Sequence, residues 1–388
     1  MGRRWAVAVT AALVLGILPG LGVAGGDTTP AALAAEDPVV AAAGDIACAP
    51  PARRTASSCH HRDTSDLLVA GGYDAVLPLG DVQYECGQAS AYRSVYDPTW
   101  GRVKAVTRPA VGDNEYTDGN GCTTPGASGY FGYFGAAATP RQPSCRSACA
   151  GYYSYDLGTW HVVVLNTECS KPGVGGCTRT SPQGRWLAAD LAAYPNRCTL
   201  AYWHRPRWQD NGRTNSASSY FVEALYEAGA EVVLTGHEHL YERFAPQTPS
   251  GVANPNGIRQ FIVGTGGKSR HGLSRTPPRN AEARTASAYG VLTLTLHPDS
   301  YDWRFVSEAG RTFTDSGSHP ATDPVVGDLE PGVGAAVVVG GALVADMQLD
   351  PAVAAVRQQQ DPAPAVTQGV LDQWVHTSGA TGPLSATV

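Results

Sequence analysis

Val76-Leu77-Pro78-Leu79-Gly80-Asp81-Val82-Gln83-Tyr84 decides how this chain is read. A short run rich in Val and Leu suits a strand buried on both faces. Here it ends in glycine and a carboxylate, with a phenol three residues further on. Similar endings recur four more times. Ala41-Ala42-Ala43 leads into Gly44-Asp45, and Arg108-Pro109-Ala110-Val111 into Gly112-Asp113-Asn114-Glu115. Leu200-Ala201-Tyr202-Trp203 leads into His204, and Val232-Val233-Leu234-Thr235 into Gly236-His237-Glu238-His239. Ligands of α/β sheets gather outside the carboxyl ends of the strands, so the five endings are expected to face one crevice. Glycine before the ligand lets the backbone turn sharply and leaves room for an ion. Singly, each piece is weak. A Gly-Asp is more often a turn or a helix cap, and a lone His204 a hydrogen-bonded core residue. His237 and His239, alternate residues of an extended segment, point the same way. The joint occurrence of all five, in this order, indicates a metal centre.

Outward from these endings, the chain alternates strands, helices and Gly-rich loops over residues 38–320. Val39 to Ala43, Ala75 to Leu79, Trp160 to Leu165, Cys198 to Trp203 and Glu231 to Leu234 are predicted strands. Ser181-Pro182 predicts a helix start, a capping hydroxyl followed by proline at the first helical position. Leu187, Leu191 and Tyr194 then share a face, and Pro195 stops the run. Ser218 or Ser219 opens a second helix carrying Phe221 and Leu225, closed by Gly229. Ile258 to Val263, Tyr289 to Leu296 and Tyr301 to Val306 alternate more strictly and predict antiparallel strands, with a Pro298-Asp299 turn between the last two. The aromatic-rich stretch from Tyr130 to Tyr155 reads as loop and then strand. There is no internal repeat.

Residues 1–35 read as a cleaved signal peptide. Arg3 and Arg4 precede an apolar stretch from Ala6 to Gly22, and small residues follow at Ala24 and at Ala32-Leu33-Ala34. That places the mature chain outside the cell, secreted or associated with the cell wall. Nine cysteines suit the oxidising compartment this implies. Cys169 and Cys177 flank a turn-rich loop that lets them meet, Cys48 and Cys59 can close another, and Cys198 is the candidate for a buried thiol left over. A net charge of −6 without a Lys/Arg cluster argues against a nucleic-acid-binding surface. Nothing after residue 36 is apolar for long enough to span a bilayer. Residues 321–388, rich in Ala, Val, Pro and Gly, read as a disordered tail, with surface association as the alternative.

Together Gly44-Asp45, Gly80-Asp81-x-x-Tyr84, Gly112-Asp113-Asn114-Glu115, His204 and Gly236-His237-x-His239 resemble the calcineurin-like metallophosphoesterase family. More narrowly they are similar to its purple acid phosphatase branch, in a secreted bacterial form. That branch has a tyrosine ligand after the second Asp, here Tyr84, and lacks a His two residues after the first, where this chain has Ala47. The resemblance runs from about residue 38 to 317 and includes Tyr241-Glu242-Arg243 and Gly264-Thr265-Gly266-Gly267. It implies an α/β fold, a four-layer α/β/β/α sandwich of two mixed sheets, in a catalytic domain spanning 36–320. It also implies one metal on Asp45, Asp81, Tyr84 and His239, and a second on Asp81, Asp113, His204 and His237, with Asp81 bridging. Oxygen and imidazole ligands suit Fe, Zn or Mn, and the phenolate implies Fe(III) in the first position. The implied activity is hydrolysis of phosphomonoesters or phosphodiesters, a hydroxide on the metals attacking phosphorus without a protein nucleophile.

Departures from the family pattern fall at Asp113 and Asn114, where Asn-His is usual. In this register Asp113 takes the ligand position and Asn114 the histidine's, so Asn114 has no proton to give a leaving group; a slipped loop with Asn114 as ligand is the alternative. Arg205 could reach a phosphate in two contacts, or be a surface charge. His60-His61 is expected to be exposed, His161 and His297 structural, and Arg243 to lock the loop after His239. Tyr116, Tyr130 and Phe131 either line the cleft or pack in the core. The rival function is a metal-stabilised extracellular binding module, catalytically weak or inactive.

Overall fold

The computed structural model describes residues 36–117, 122, 124–139, 150–195, 198–321, 337–339 and 342–344. The expected leader, residues 1–35, lies outside them. The described residues from Glu36 to Ala321 belong to one compact unit. Its described strands are β1 (Val39–Ala43), β2 (Ala75–Pro78), β3 (Tyr153–Leu157), β4 (Trp160–Val164), β5 (Cys198–Tyr202) and β6 (Val232–Thr235), followed by β7 (Tyr241–Phe244), β8 (Arg259–Val263), β9 (Ala281–Thr285), β10 (Gly290–His297), β11 (Ser300–Ser307) and β12 (Ser316–Pro320). They form two mixed sheets, ordered β12-β11-β10-β1-β2 and β3-β4-β5-β6-β8-β7-β9. From Val325 onward lies a separate unit. In it, β13 (Val337–Val339) and β14 (Ala342–Val344) pair antiparallel; apart from Ala321, which packs on the first unit's core, the rest of the expected tail lies outside the described residues.

Strand alternation builds the layers. Val162, Val164, Leu200, Tyr202, Val232, Leu234, Phe261 and Val263 share one core with Val40, Ala42, Leu292 and Leu294 of the other sheet. The intervening Val163, Ala201, Val233 and Ile262 join a second core with Leu187, Phe221 and Leu225. Those three belong to the helices Pro182–Ala193 and Ser219–Glu227. A period of two thus divides each central strand between the inter-sheet core and the helical layer, and both faces are apolar for that reason. The Ser181 side chain caps the first helix, accepting from Gly184 N at 3.0 Å.

Four local expectations need correction. Arg108–Val111 joins no ladder; it runs along β2 through isolated bridges, with Arg108 N and Ala110 N donating to Val76 O and Pro78 O at 2.8 Å. Pro109 between them has no N–H to continue the pairing. The strand β8 is not purely antiparallel but lies between a parallel β6 and an antiparallel β7. Ser128–Phe134 is helical rather than loop. Its Tyr130, Phe131 and Phe134 are buried, with Phe134 against Tyr92 and Tyr96, so tertiary packing overrides a modest local propensity. A Cβ on Gly129 would come 1.9 Å from Gly87 O, which explains a glycine inside this helix. Finally, His60 and His61 are buried, not exposed. The His60 ring stacks on Tyr289 at 4.1 Å and bonds Glu308 at 2.5 Å.

Among the described residues, three disulfides join Cys48 to Cys59, Cys86 to Cys122, and Cys169 to Cys177. The first and third are those the loop lengths suggested. Cys198 is buried outside these bridges, its thiol 3.4 Å from Pro298 O. Cys145 and Cys149 lie outside the described residues. Among the described residues, no helix is long and apolar enough to cross a membrane.

Candidate metal centre

All seven residues expected as ligands meet at the carboxyl ends of β1, β2, β5 and β6 and in the turn after Val111. Asp45, Asp81 and His237 have φ of 60°, 49° and 69°, a region costly for residues with a Cβ. These turns bring three side chains back over the sheet edges. Close approach also fixes two glycines. A Cβ on Gly80 would lie 2.6 Å from His204 Nδ1, and one on Gly112 would lie 2.2 Å from Asp81 N.

Two clusters result. In the first, the Tyr84 hydroxyl lies 2.8 Å from Asp45 Oδ1, 2.8 Å from Asp81 Oδ2 and 3.0 Å from His239 Nε2. In the second, Asp113 Oδ1 lies 2.9 Å from His204 Nε2 and 3.1 Å from His237 Nδ1, and the two nitrogens are 3.3 Å apart. Asp81 links them. Its Oδ2 faces Tyr84 while its Oδ1 is 3.3 Å from His204 Nε2. Asp113, not Asn114, converges with the histidines; Asn114 instead donates through Nδ2 to Asp81 Oδ2 at 2.6 Å.

Supporting contacts orient the ring nitrogens. His204 Nδ1 donates to Leu79 O at 2.8 Å, so Nε2 is the nitrogen aimed into the cluster. His239 Nδ1 lies 2.8 Å from Ser269 Oγ. Behind both loops sits Glu115, fully buried, the last residue of the Gly112-Asp113-Asn114-Glu115 motif. It accepts from Val82 N and Gly112 N at 2.8 Å, from Asp81 N at 3.1 Å and from Gln83 N at 3.2 Å. One carboxylate thereby clamps the Asp81 turn to the Asp113 turn. Burial, and then the charge of Asp81, push its pKa up to about 8 against the pull of these N–H groups.

Asp45 and His204 have no exposed surface, whereas the side chains of Asp113, His237 and Arg205 are 26%, 29% and 29% exposed. The centre therefore opens to solvent on the second cluster's side. Arg205 stands at this mouth, held by Glu168 at 2.6 Å, Asp113 at 3.2 Å and His237 at 3.2 Å. Burial opposes charge at Asp113, but His204, His237 and Arg205 hold its carboxyl far below the usual range. Burial likewise opposes charge at His204, yet Asp81 and Asp113 raise it well above the ordinary histidine value. Three carboxylates, a phenol and three imidazoles facing one another form a donor set of the hard-oxygen and imidazole type that suits first-row cations.

Other candidates separate cleanly. His60, Asp63 and Glu308 also converge, but Arg54 pairs with Asp63 and Arg311 with Glu308, which supplies positive charge there without an ion. His161 is clamped between Asp156 and Asp190, and His297 pairs with Asp37, both structural contacts. Arg243 is tied to Asp315 at 2.7 Å. Tyr116, Tyr130 and Phe131 pack in the core. One residue at the centre escaped sequence reasoning: His271 stacks on His239 at 4.0 Å. A single histidine in the loop after Gly264-Thr265-Gly266-Gly267 has no periodicity or motif to announce it.

No family profile matches the chain. Among curated proteins, human acid phosphatase type 7 is 27% identical over 269 residues, 61% of this chain and 57% of that protein. Purple acid phosphatase 22 of Arabidopsis thaliana is 30% identical over 153 residues, 36% of this chain and 32% of its own length. The chain thus spans between 32% and 57% of these two relatives. Among solved structures, a purple acid phosphatase from yellow lupin (Lupinus luteus) seeds superposes with a TM-score of 0.55 at 16% identity, over 72% of this chain and 53% of that one. The Plasmodium protein GAP50, the anchor in the inner membrane complex, gives 0.54 at 12% identity, over 75% and 90%. The α/β fold of two mixed sheets is therefore that of the metallophosphatases. In its sequence similarities the chain is purple acid phosphatase-like.

Proposed function

We propose that this chain is a secreted, dinuclear metal-dependent phosphoesterase that hydrolyses phosphomonoesters or phosphodiesters. The observation that carries the reading is Asp81, whose two oxygens face two separate ligand clusters. On this assignment Asp45, Asp81, Tyr84 and His239 hold one ion, and Asp81, Asp113, His204 and His237 the other. Fe(III) is proposed in the first position, with Fe, Zn or Mn in the second. Two such cations supply a water acidified to near neutrality and positive charge for the phosphate oxygens. The described disulfides suit export into an oxidising compartment.

The chain's own groups do the rest. Arg205, oriented by Glu168 at the open mouth, binds and positions a phosphate through its planar fork. Asn114 steadies Asp81 through its amide and carries no proton for a departing alkoxide. A carboxylate at position 113 also lowers the positive charge offered to a phosphate dianion. Both features favour diesters and activated aryl esters over alkyl monoesters. A second reading, the metal-stabilised binding module, draws support from GAP50, a fold relative described as an anchor.

Tyr84→Phe tests the assignment. Burial, and then Asp45 and Asp81, push the Tyr84 phenol well above its usual pKa, so only a strongly acidic cation among those atoms would make it a phenolate. The wild-type protein is expected to show a visible charge-transfer band and to turn over nitrophenyl phosphate or bis(nitrophenyl) phosphate. Tyr84→Phe is expected to stay folded and lose the band. A coloured Tyr84→Phe protein would refute the phenolate, and a coloured wild type inert on both esters would favour the binding module.

A further inference from the structure

His271 lies against the first cluster without belonging to it. Its ring is parallel to that of His239, 8° between planes and 4.0 Å between centroids. The two residues are joined twice more: His271 N donates to His239 O at 3.0 Å, and His239 N donates to His271 Nδ1 at 3.2 Å. The His271 ring therefore lies flat on the His239 ring, whose Nε2 faces Tyr84 and Asp45.

The bond to Nδ1 also fixes the tautomer. With Nδ1 accepting a backbone N–H, the proton of the neutral ring sits on Nε2. The residue is exposed, and Nε2 has no hydrogen-bond partner among the described residues. A fixed N–H donor beside the first cluster, with no other partner among the described residues, is a group open to a ligand.

We propose that His271 contacts substrate, its Nε2–H donating to an oxygen of a phosphate group held over the first metal position. This rests on the phosphoesterase reading and adds a substrate contact on the side away from Arg205. His271 would serve binding and orientation, and no proton transfer is required of it.

Two variants of the full-length, metal-loaded protein separate this role from a merely structural one. In His271→Asn the amide oxygen can still accept from His239 N, but no donor reaches the Nε2 position. In His271→Gln the amide nitrogen can reach it. Metal content, melting temperature and the affinity for inorganic phosphate by calorimetry are measured on each. Hydrogen bonds to charged groups are the strong ones, so His271→Asn is expected to bind phosphate about tenfold more weakly with two metal equivalents retained. His271→Gln is expected to regain much of that loss. Unchanged phosphate affinity in His271→Asn overturns the inference, and so does a loss of affinity that merely follows a loss of metal, since His271 would then act only through His239. A wild-type protein that binds neither two metals nor phosphate would overturn the site reading itself, a failure visible before any variant is made.

Discussion

Asp81→Ala is expected to lose both metal ions, not one, and with them all ester turnover above background. The reason is electrostatic. A trivalent and a divalent cation held on adjacent clusters that share a ligand would repel each other strongly. A shared carboxylate between them is the group that offsets this. Asp81 is 2% exposed and one of its oxygens faces each cluster, so no neighbouring side chain substitutes for it. His239→Ala, by contrast, removes a ligand from the first cluster alone and is expected to empty mainly that position. Metal analysis of both variants checks the contrast. Wild-type occupancy in Asp81→Ala would show that the bridge is wrongly assigned.

The second large effect is expected at Asn114, and its sign is a gain. General acid catalysis contributes typically on the order of 10²–10⁴-fold, and the amide at this position cannot provide it. Asn114→His is therefore expected to raise turnover of an alkyl phosphomonoester by about 10²-fold or more. A nitrophenyl ester should gain far less, because its leaving group departs unprotonated. The substitution also breaks the 2.6 Å bond from the amide to Asp81, a loss common to both substrates that cancels in their ratio. Equal gains, or none, would place residue 114 away from the leaving group. His60 is a poor alternative donor: its nitrogens are engaged by Glu308 at 2.5 Å and Thr55 O at 2.8 Å.

Much of the fold and the centre was legible in the chain because the informative features are local. Apolar runs of strand length carry their own burial, and Gly-Asp or Gly-His at their ends announces a turn that projects a side chain. Those rules placed Asp45, Asp81, His204, His237 and His239 at strand ends, and the structure brings them together. What escaped reading depends on contacts distant in sequence. His60, in a loop beside Cys59, was expected to be exposed, but its burial comes from Glu308 and Tyr289, more than two hundred residues away. Glu115 stands in the sequence only as the end of the Gly112-Asp113-Asn114-Glu115 motif, and its role as a clamp appears only when the Asp81 turn folds beside it. The Ser128–Phe134 helix has weak local propensity and exists because three of its aromatics find a core. His271 has no signal of its own; the stacking on His239 defines it.

The two adjacent ligand clusters are proposed to hold two ions for phosphate-ester hydrolysis. Elemental analysis of the purified full-length protein, run beside turnover of a nitrophenyl monoester and the corresponding diester, tests it most directly. The expected result is about two equivalents of first-row metal per chain, with hydrolysis that chelation abolishes and metal restores. Fewer than one equivalent in a folded, metal-supplemented protein, or hydrolysis indifferent to a chelator that strips the metal, would contradict it.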